Sequence, residues 1–270
     1  MVEIVEETDD NQSSSTRAGA SESSSNQPQS APQHVSFSQF VSTKTMECIM
    51  FVSRILTVFF ALNYMLPFTA FVPHHSAYYK VFVASAATFA LRLHTRIQGQ
   101  FSLNAQFIQG LVIEDAFHYL VYSVVFLMAA PVSMATVPVT IYAALHACTF
   151  VTKLLRETGY NSSIVPKLDQ FLSHQTQNAL GIIACSEIFL VPLIVSLVFS
   201  GKGSLLLPFA YYRFLSLRYA SRRNPSTRQA FQQMRGSLTN VAQSPSCPRP
   251  ISAFIYKTIE FISARAPPVM

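Results

Sequence analysis

The chain has 270 residues, of which half are hydrophobic and only 12% are charged. A soluble globular domain averages roughly 25% charged residues, so this composition excludes an ordinary soluble domain and indicates a membrane protein. The net charge of +6 is unevenly distributed, because residues 1–35 contain six acids and one base, which leaves 18 bases against 7 acids and a net charge of +11 in the rest.

Residues 1–35 form an acidic, serine-rich tail. Their polar composition cannot contribute a buried core, and it predicts disorder. The start MVEIVEETDD lacks the basic and apolar regions of a cleavable secretory signal, so we expect the first internal apolar segment to direct insertion. The four cysteines are widely spaced and include no C-x-x-C pair, which predicts neither a zinc site nor a redox dithiol.

The apolar segments that follow predict an all-α, polytopic membrane helical bundle over residues 36–220. Crossing a bilayer takes about 20 mostly apolar residues. The candidate segments are 55–73, 78–93, 116–152, 180–199 and 205–220. The third is long enough for two spans around the turn APVSMATVP, so we expect about six membrane helices in hairpins. A three-span arrangement stays open, because the second and last segments are short or charged and would then lie in the interface.

The distribution of basic residues predicts which side of the membrane each end faces. Lys and Arg concentrate on the cytosolic side of membrane proteins, and no acid occurs between Glu187 and Glu260. That stretch instead contains Arg213, Arg218, Arg222, Arg223, Arg228, Arg235, Arg249 and Lys257. We therefore expect a cytosolic C-terminus and short lumenal turns at PHHS, APVSMATVP and SGKG.

Three acids and a histidine interrupt the apolar segments. Glu114, Asp115 and His118 occur in IEDAFHYLVYS, and Glu187 occurs in IACSEIFLVP. A charged side chain at the centre of a membrane helix costs about 2.5–3.5 kcal/mol on insertion scales, so these acids need partners. In a helix, Glu114 and His118 share one face and Asp115 lies about 100° away. The sequence therefore predicts an intramembrane polar network of Glu114, Asp115, His118, Glu187, Arg92, Arg213 and Arg218.

Two other uses of these residues stay open. One is a pocket for a lipid headgroup or an ion, and the other is an intramembrane lipid-handling enzyme or small transporter built around Glu114, Asp115, His118 and Glu187. A di-iron bundle needs a Glu-x-x-His pair on two helices, and a zinc site needs at least three converging ligands; the spacing supplies neither. No G-x-S-x-G elbow, P-loop or G-x-G-x-x-G occurs. We therefore predict no catalytic residue, metal site or cofactor.

Residues 221–270 predict a basic cytosolic region with two amphipathic helices. Phe231, Met234, Leu238 and Val241 recur at helical spacing in the first. In the second, ISAFIYKTIEFISARA, the apolar residues share one side, which is typical of an interfacial helix. The predicted membrane-binding residues are Arg222, Arg223, Arg228, Arg235, Ile251, Phe254, Ile255, Lys257, Ile259 and Ile262. The alternative is that these helices pack on the protein's own cytosolic face or on a partner.

Four separated stretches carry a resemblance to a known family: LRLHTRI, IEDAFHYLVYS, IACSEIFLVP and SGKGSLLLPFAYYRFLSLRYASRRNP. In this order, from about residue 36 to residue 268, the chain resembles the transmembrane protein 33 family, also called the Krüppel homolog 2 family, which has more distant fungal pore-membrane relatives. No Cys/His finger spacing occurs, so we expect no direct nucleic-acid binding.

The resemblance implies a non-enzymatic protein of the endoplasmic reticulum membrane and nuclear envelope. Its implied roles are organisation of the tubular reticulum through reticulon-type proteins, support of nuclear pore assembly or distribution, and a link to the unfolded protein response. The expected partners are membrane lipids, reticulons, nucleoporins and karyopherins. The residues supply a compatible mechanism, because hairpins with short lumenal turns and large cytosolic flanks occupy more area in one leaflet and so favour curvature.

Overall fold

The computed structural model describes residues 35–66, 71–97, 104–160, 163–222 and 225–268. Within these residues every regular element is a helix, which confirms the all-α prediction. The predicted disordered tail lies outside the described residues except for Val35, and Arg223 lies outside them as well.

Ten α-helices and one 3-10 turn make up the described chain. The helices are α1 Phe37–Thr43, α2 Thr45–Met65, α3 His74–Ile97, α4 Ala105–Ile113, α5 Asp115–Leu127, α6 Thr136–Thr158, α7 Val165–Phe199, α8 Leu206–Ala220, α9 Ser226–Gln243 and α10 Arg249–Ala264, with the 3-10 turn Ser133–Ala135 directly before α6. The six helical segments predicted for the membrane domain correspond to α2, α3, α5, α6, α7 and α8.

Aromatic side chains dominate the centre of the bundle, where α2 packs on α3 and α6, α3 packs on α5, and α8 packs on α5 and α7. The ring of Tyr122 lies 4.7 Å from that of Phe126 and 4.9 Å from that of Phe214, measured between centroids. Phe82 stacks on Phe126 at 5.7 Å. Such pairs add about 0.5–1.5 kcal/mol each beyond their burial, so the interior of the bundle is tightly specified.

Fewer than six of the described helices are by themselves long and apolar enough to cross a bilayer, in agreement with the three-span arrangement that stayed open. Among the described residues, α2, α6 with its preceding turn, and α7 are long and apolar enough to cross a bilayer, and α4 and α5 would count as a fourth span if taken together. α8 has 15 residues, about 22 Å of helix, which is shorter than the roughly 30 Å hydrocarbon core. α3 contains Lys80, Arg92 and Arg96. The polytopic character of the chain is nevertheless confirmed.

Ion pairs gather at one end of the bundle, where α2 begins and α6 ends. Lys44 Nζ lies 2.5 Å from Glu157 Oε1, and Lys153 Nζ lies 2.9 Å from Glu47 Oε2. We call this the charged end and define it by Lys44, Glu47, Lys153 and Glu157. At the opposite end Tyr64 and Ser133 form a hydrogen bond of 2.9 Å between their hydroxyls.

The two C-terminal helices pack in different ways. Ala230 of α9 lies in a buried cluster with Ala184 and Ile188 of α7, so α9 is held against the bundle. α10 packs on α9, where Ser252 Oγ donates a hydrogen bond of 2.9 Å to the carbonyl of Ala242. No residue of α10 is buried. α9 therefore packs on the protein itself, as the alternative prediction states, whereas α10 remains largely exposed.

Candidate functional site

Arg218 is the centre of the most polar region inside the bundle. Tyr211, Phe214, Leu215 and Arg218 all lie on the buried stripe of α8, with the i, i+3, i+4, i+7 spacing of a core-facing helical surface. The guanidinium therefore occupies a position that would ordinarily be apolar. Its side chain is 1% exposed, so its charge has to be balanced within the protein.

Three other helices supply the partners of Arg218. Its Nε lies 3.4 Å from Glu187 Oε2 on α7, and its Nη1 lies 3.5 Å from Asp115 Oδ1 on α5. Nη2 donates a hydrogen bond of 3.0 Å to the hydroxyl of Tyr142 on α6. A single side chain of α8 thus joins α5, α6 and α7.

Tyrosines complete the surroundings of Glu187, whose side chain is 0% exposed. The hydroxyl of Tyr119 donates a short hydrogen bond to its carboxylate. The hydroxyl of Tyr211 donates to the Glu187 backbone carbonyl at 2.7 Å. The Arg218 guanidinium also lies 4.9 Å from the ring centroid of Tyr119, within range of a cation–π contact. We call Arg218, Glu187, Asp115, Tyr119, Tyr142 and Tyr211 the arginine cluster.

Asp115, whose side chain is 36% exposed, forms the more accessible rim of the cluster, and the buried His118 lies beside it. Ser221 Oγ donates a hydrogen bond of 3.2 Å to Asp115 Oδ1, and His118 Nδ1 lies 3.7 Å from the same oxygen. His118 Nε2 lies 2.6 Å from the carbonyl of Val112, an acceptor, so Nε2 carries a proton. The imidazole thereby links α5 to the last turn of α4.

The structure brings together four of the seven residues proposed for the polar network: Asp115, His118, Glu187 and Arg218. The expected face shared by Glu114 and His118 does not form, because Glu114 is extended, with φ −79° and ψ 123°, and lies outside α5. Its carboxylate instead pairs with Arg96 at 3.0 Å. Arg213 is exposed, because five residues correspond to a rotation of about 140° around α8 from Arg218.

Arg92 lies in a small polar cleft of about 10 Å³ between α2, α3 and α6. Its Nη1 is 3.3 Å from His146 Nε2. Buried Arg54 also lines this cleft, although it was not among the residues predicted for the polar network. A sequence feature could have identified Arg54, because it is the single Lys or Arg within the otherwise apolar α2. Tyr119 and Tyr142 were missed as well, since tyrosines in an apolar run look like ordinary core residues.

The contacts of the arginine cluster are those of a clamp between helices. Glu187 is enclosed by Arg218 and Tyr119, and it does not line the cleft that contains Arg92. Among the described residues, no group of three or more His, Cys, Asp or Glu side chains is placed to hold a metal ion. The geometry thus offers Glu187 a structural partner rather than an open position for a ligand.

The exposed apolar face of α10 is the second candidate site. Phe254 is 70% exposed and Phe261 is 58% exposed, and Ile251 and Ile262 are exposed beside them. Ile255 and Ile259 are only half-buried, and Lys257 is exposed. This face was predicted except for Phe261, which lies on the same side of the helix.

The predicted basic residues divide into two kinds. Arg222 and Arg235 are exposed and available to a negatively charged surface. The guanidinium of Arg228 instead donates hydrogen bonds of 3.0 Å and 2.5 Å to the carbonyls of Tyr219 and Ser221, where it caps the end of α8.

A family model named Transmembrane protein 33/Nucleoporin POM33 matches residues 29–268. The chain belongs to this family. It is 83% identical over 235 residues to the Transmembrane protein 33 homolog of Caenorhabditis elegans, covering 87% of each chain. It is 42% identical to Transmembrane protein 33 of Mus musculus, over 88% of this chain and 96% of the relative. No solved structure matches the chain.

A further relative agrees with the resemblance on which the sequence analysis relied. The chain is 35% identical to Krueppel homolog 2 of Drosophila melanogaster, over 85% of this chain and 82% of the relative. Family membership makes this a membrane protein of a group whose name includes a nucleoporin. It is not a family of known enzymes.

Proposed function

We propose that this family member is a non-enzymatic organiser of the endoplasmic reticulum membrane and nuclear envelope. It would act through reticulon-type proteins on the tubular reticulum and support the assembly or distribution of nuclear pore complexes. The observation that carries the proposal is the uncovered apolar face of α10, which follows a bundle able to cross the membrane. Its expected partners are lipids, reticulons, nucleoporins and karyopherins.

The face of α10 fits a lipid surface. Burying a large apolar side chain completely yields about 1.5–3 kcal/mol, and Phe254, Phe261, Ile251 and Ile262 are each about half exposed or more. Together they offer roughly 4–6 kcal/mol. An exposed base near an anionic leaflet adds about 1 kcal/mol, and Arg235 on α9 is such a base. This free energy suits reversible contact by a helix that is already tethered to the membrane.

The arrangement of charge supports a cytosolic position for this face. Basic residues concentrate on the cytosolic side, and residues 200–258 contain no acid. Asp115, at the start of α5, contacts Ser221 at the end of α8, and α9 begins five residues later. α9 and α10 therefore leave the bundle where its basic residues are found, and a helix inserted in the cytosolic leaflet there would favour curvature.

The test replaces the two most exposed aromatic residues of α10 in the full chain. The variant Phe254→Glu/Phe261→Glu changes the net charge by −2. Tyr256→Glu/Ser263→Glu also changes the net charge by −2, at two exposed positions that each lie two residues after a replaced phenylalanine and so about 200° around the helix, and it is the matched control. Each chain is expressed with a C-terminal proximity-labelling tag in cells that lack their own copy. The readouts are the density of tubule junctions and the enrichment of reticulons and nucleoporins.

We expect Phe254→Glu/Phe261→Glu to remain in the reticulum membrane and to lose most of the tubule junctions and reticulon labelling, while Tyr256→Glu/Ser263→Glu retains both. A chain truncated after Ala242 should behave like Phe254→Glu/Phe261→Glu and should also bind added anionic liposomes more weakly. Normal junctions and normal labelling with Phe254→Glu/Phe261→Glu would contradict the proposal. Protease treatment of sealed microsomes should remove the C-terminal tag, and a protected tag would contradict the cytosolic orientation.

A further inference from the structure

The break between α4 and α5 consists of a single residue. Glu114 is extended, and its amide bonds the carbonyl of Leu111, three residues back, which ends α4. The amides of Phe117 and His118 then bond the carbonyl of Glu114, which starts α5. As a result the two helices are bent by 80°.

This bend turns α4 across the axis of the bundle. α4 has nine residues, about 13 Å of helix, and at 80° to α5 it advances only about 2 Å along the direction of α5. α5 itself packs against α3 and α8 within the bundle. α4 therefore adds almost nothing to the depth that the pair could cross.

Contacts on both sides of the break hold α4 in this direction. Arg96 Nη1 pairs with Glu114 Oε2 at 3.0 Å, and His118 Nε2 donates to the carbonyl of Val112 at 2.6 Å. Leu111 packs against the central hydrophobic cluster. The bend is thus fixed by two side chains from other parts of the bundle and by one apolar anchor of its own.

The level of α4 in the bundle follows from the register of α2 and α3. Ser53 Oγ of α2 donates a hydrogen bond of 2.8 Å to the carbonyl of Ala84 in α3. The two helices are antiparallel, so residues that follow Ala84 in α3 lie level with residues that precede Ser53 in α2. Arg96 comes twelve residues after Ala84 and therefore lies near the start of α2, close to Lys44. α4 is therefore at the charged end, where the polar headgroups meet the spans.

The two sides of α4 differ in polarity. Gln106, Gln109 and Gly110 fall on one side, which Ile113 of the last turn shares, and Ile108, Leu111 and Val112 fall on the other. No residue of α4 is buried, and Ile108 is 50% exposed. The apolar side therefore has uncovered surface at the height of the membrane interface.

We infer that α4 lies in the plane of the membrane at the charged end, with its apolar side in the leaflet there and Gln106 and Gln109 facing the headgroups. Its partner is lipid, because the helix runs across the bundle axis at the level of the charged end, and α2 and α6, whose ends define that level, are apolar enough to span the bilayer. α4 and α10 would then occupy one leaflet. Their joint effect on curvature rests on the proposed function, but the position of α4 does not.

The chain contains no tryptophan, so one introduced tryptophan reports on a single position. Ile108→Trp places it on the apolar side of α4 and Gln109→Trp, the matched control, on the polar side. Phe189→Trp, at an exposed position of α7, provides a reference within a span. Phe107→Trp is a second reporter in α4 if Ile108→Trp does not fold. Each full-length variant is reconstituted in phosphatidylcholine vesicles whose acyl chains are brominated near the headgroup or near the methyl end.

Interfacial helices bury their apolar side roughly 5–10 Å into the boundary between headgroups and acyl chains, so we expect shallow bromines to quench Ile108→Trp about two-fold more than deep bromines. Phe189→Trp should show the reverse preference, and Gln109→Trp should be quenched weakly by both. Deep quenching of Ile108→Trp would overturn the inference and make α4 part of a broken span. Blue-shifted emission without quenching would overturn it in favour of a protein partner or a second copy. The quenching experiment tests the position of α4, and the reticulon labelling of the α10 variants tests the proposed function. Either result can therefore fail while the other holds.

Discussion

Replacing Arg218 with methionine tests whether the arginine cluster holds the bundle together. Methionine has a similar length and no charge, so the change removes the ion pairs with Glu187 and Asp115 and the hydrogen bond to Tyr142. Glu187 would then keep the hydrogen bond from Tyr119 but no cation. The variant isolates the charge of Arg218 from the volume that it fills.

The expected loss follows from the distance and burial of the pair. At the 3.4 Å between Arg218 Nε and Glu187 Oε2, two unit charges attract by about 5 kcal/mol at an effective dielectric constant of 20. Removing one partner of a buried pair costs about 3–5 kcal/mol, because the other charge is left uncompensated. For a chain of this size, each kcal/mol of lost stability lowers the melting temperature by about 2–4 °C. We therefore expect the melting temperature of Arg218→Met to fall by roughly 10 °C.

The assay is thermal unfolding of the full chain in detergent, followed by fluorescence-detected size exclusion. Arg213→Met is the matched control, because it removes the same charge from an exposed position of the same helix, where changes stay within about 0.5 kcal/mol. Arg218→Met/Glu187→Gln should melt above Arg218→Met, since it leaves no unpaired charge at Glu187. Equal melting temperatures for Arg218→Met and Arg213→Met would contradict a clamp at Arg218. So would a loss in the double variant equal to the sum of the losses in Arg218→Met and Glu187→Gln.

Two smaller predictions concern single contacts, measured in the same melting assay. Tyr142→Phe removes the 3.0 Å hydrogen bond from Arg218 and should lower the free energy of unfolding by about 1.5–3 kcal/mol, as for hydrogen bonds to charged groups. Tyr212→Phe, at an exposed position, should have little effect. Equal losses in the two variants would contradict a stabilising hydrogen bond between Arg218 and Tyr142. Gly159 ends α6 at φ 64°, so Gly159→Ala should lose about 1–2 kcal/mol. Gly110→Ala, where an added Cβ meets nothing within 4 Å, should be neutral or slightly stabilising, and a larger loss there than at Gly159 would contradict the strain argument.

The sequence predicted the helices of the membrane domain well, because apolar segments bounded by Pro, Gly and charged residues are strong signals. Of the six predicted membrane helices, α2, α6 and α7 are long and apolar enough on their own to cross a bilayer. α3 packs along α2 and α5 and buries nine of its 24 residues, and sequence hydropathy cannot distinguish such burial from contact with lipid.

The break at Glu114 was not predictable from local sequence. IEDAF contains neither Pro nor Gly, and a continuous helix satisfies its apolar pattern. The bend depends on Arg96, eighteen residues earlier, and on the side chain of His118 returning to Val112. Tertiary contacts of this kind decide the local backbone, and the predicted face of Glu114 and His118 was wrong for that reason.

Charge alone predicted only part of the arginine cluster. Glu187 and Arg218 were predicted because a charge in an apolar segment has a high free-energy cost of insertion into the membrane. Nothing in the sequence, however, pairs them with Tyr119 or Tyr142. The exclusion of Arg213 depends on the direction of the buried stripe of α8. That stripe is defined by Tyr211 and Phe214 packing in the centre of the bundle, which requires the fold.

The ion pair between α7 and α8 also constrains how the chain is made. Glu187 and Arg218 belong to consecutive helices, joined by a short turn in which Gly201 has φ 70°. Each would meet lipid with an unbalanced charge if its helix left the insertion machinery alone. Together they can enter as one hairpin in which the two buried charges balance each other, and Asp115, synthesised earlier, is already in place to receive the guanidinium. Biogenesis should therefore retain α7 beside the translocon until α8 has emerged from the ribosome.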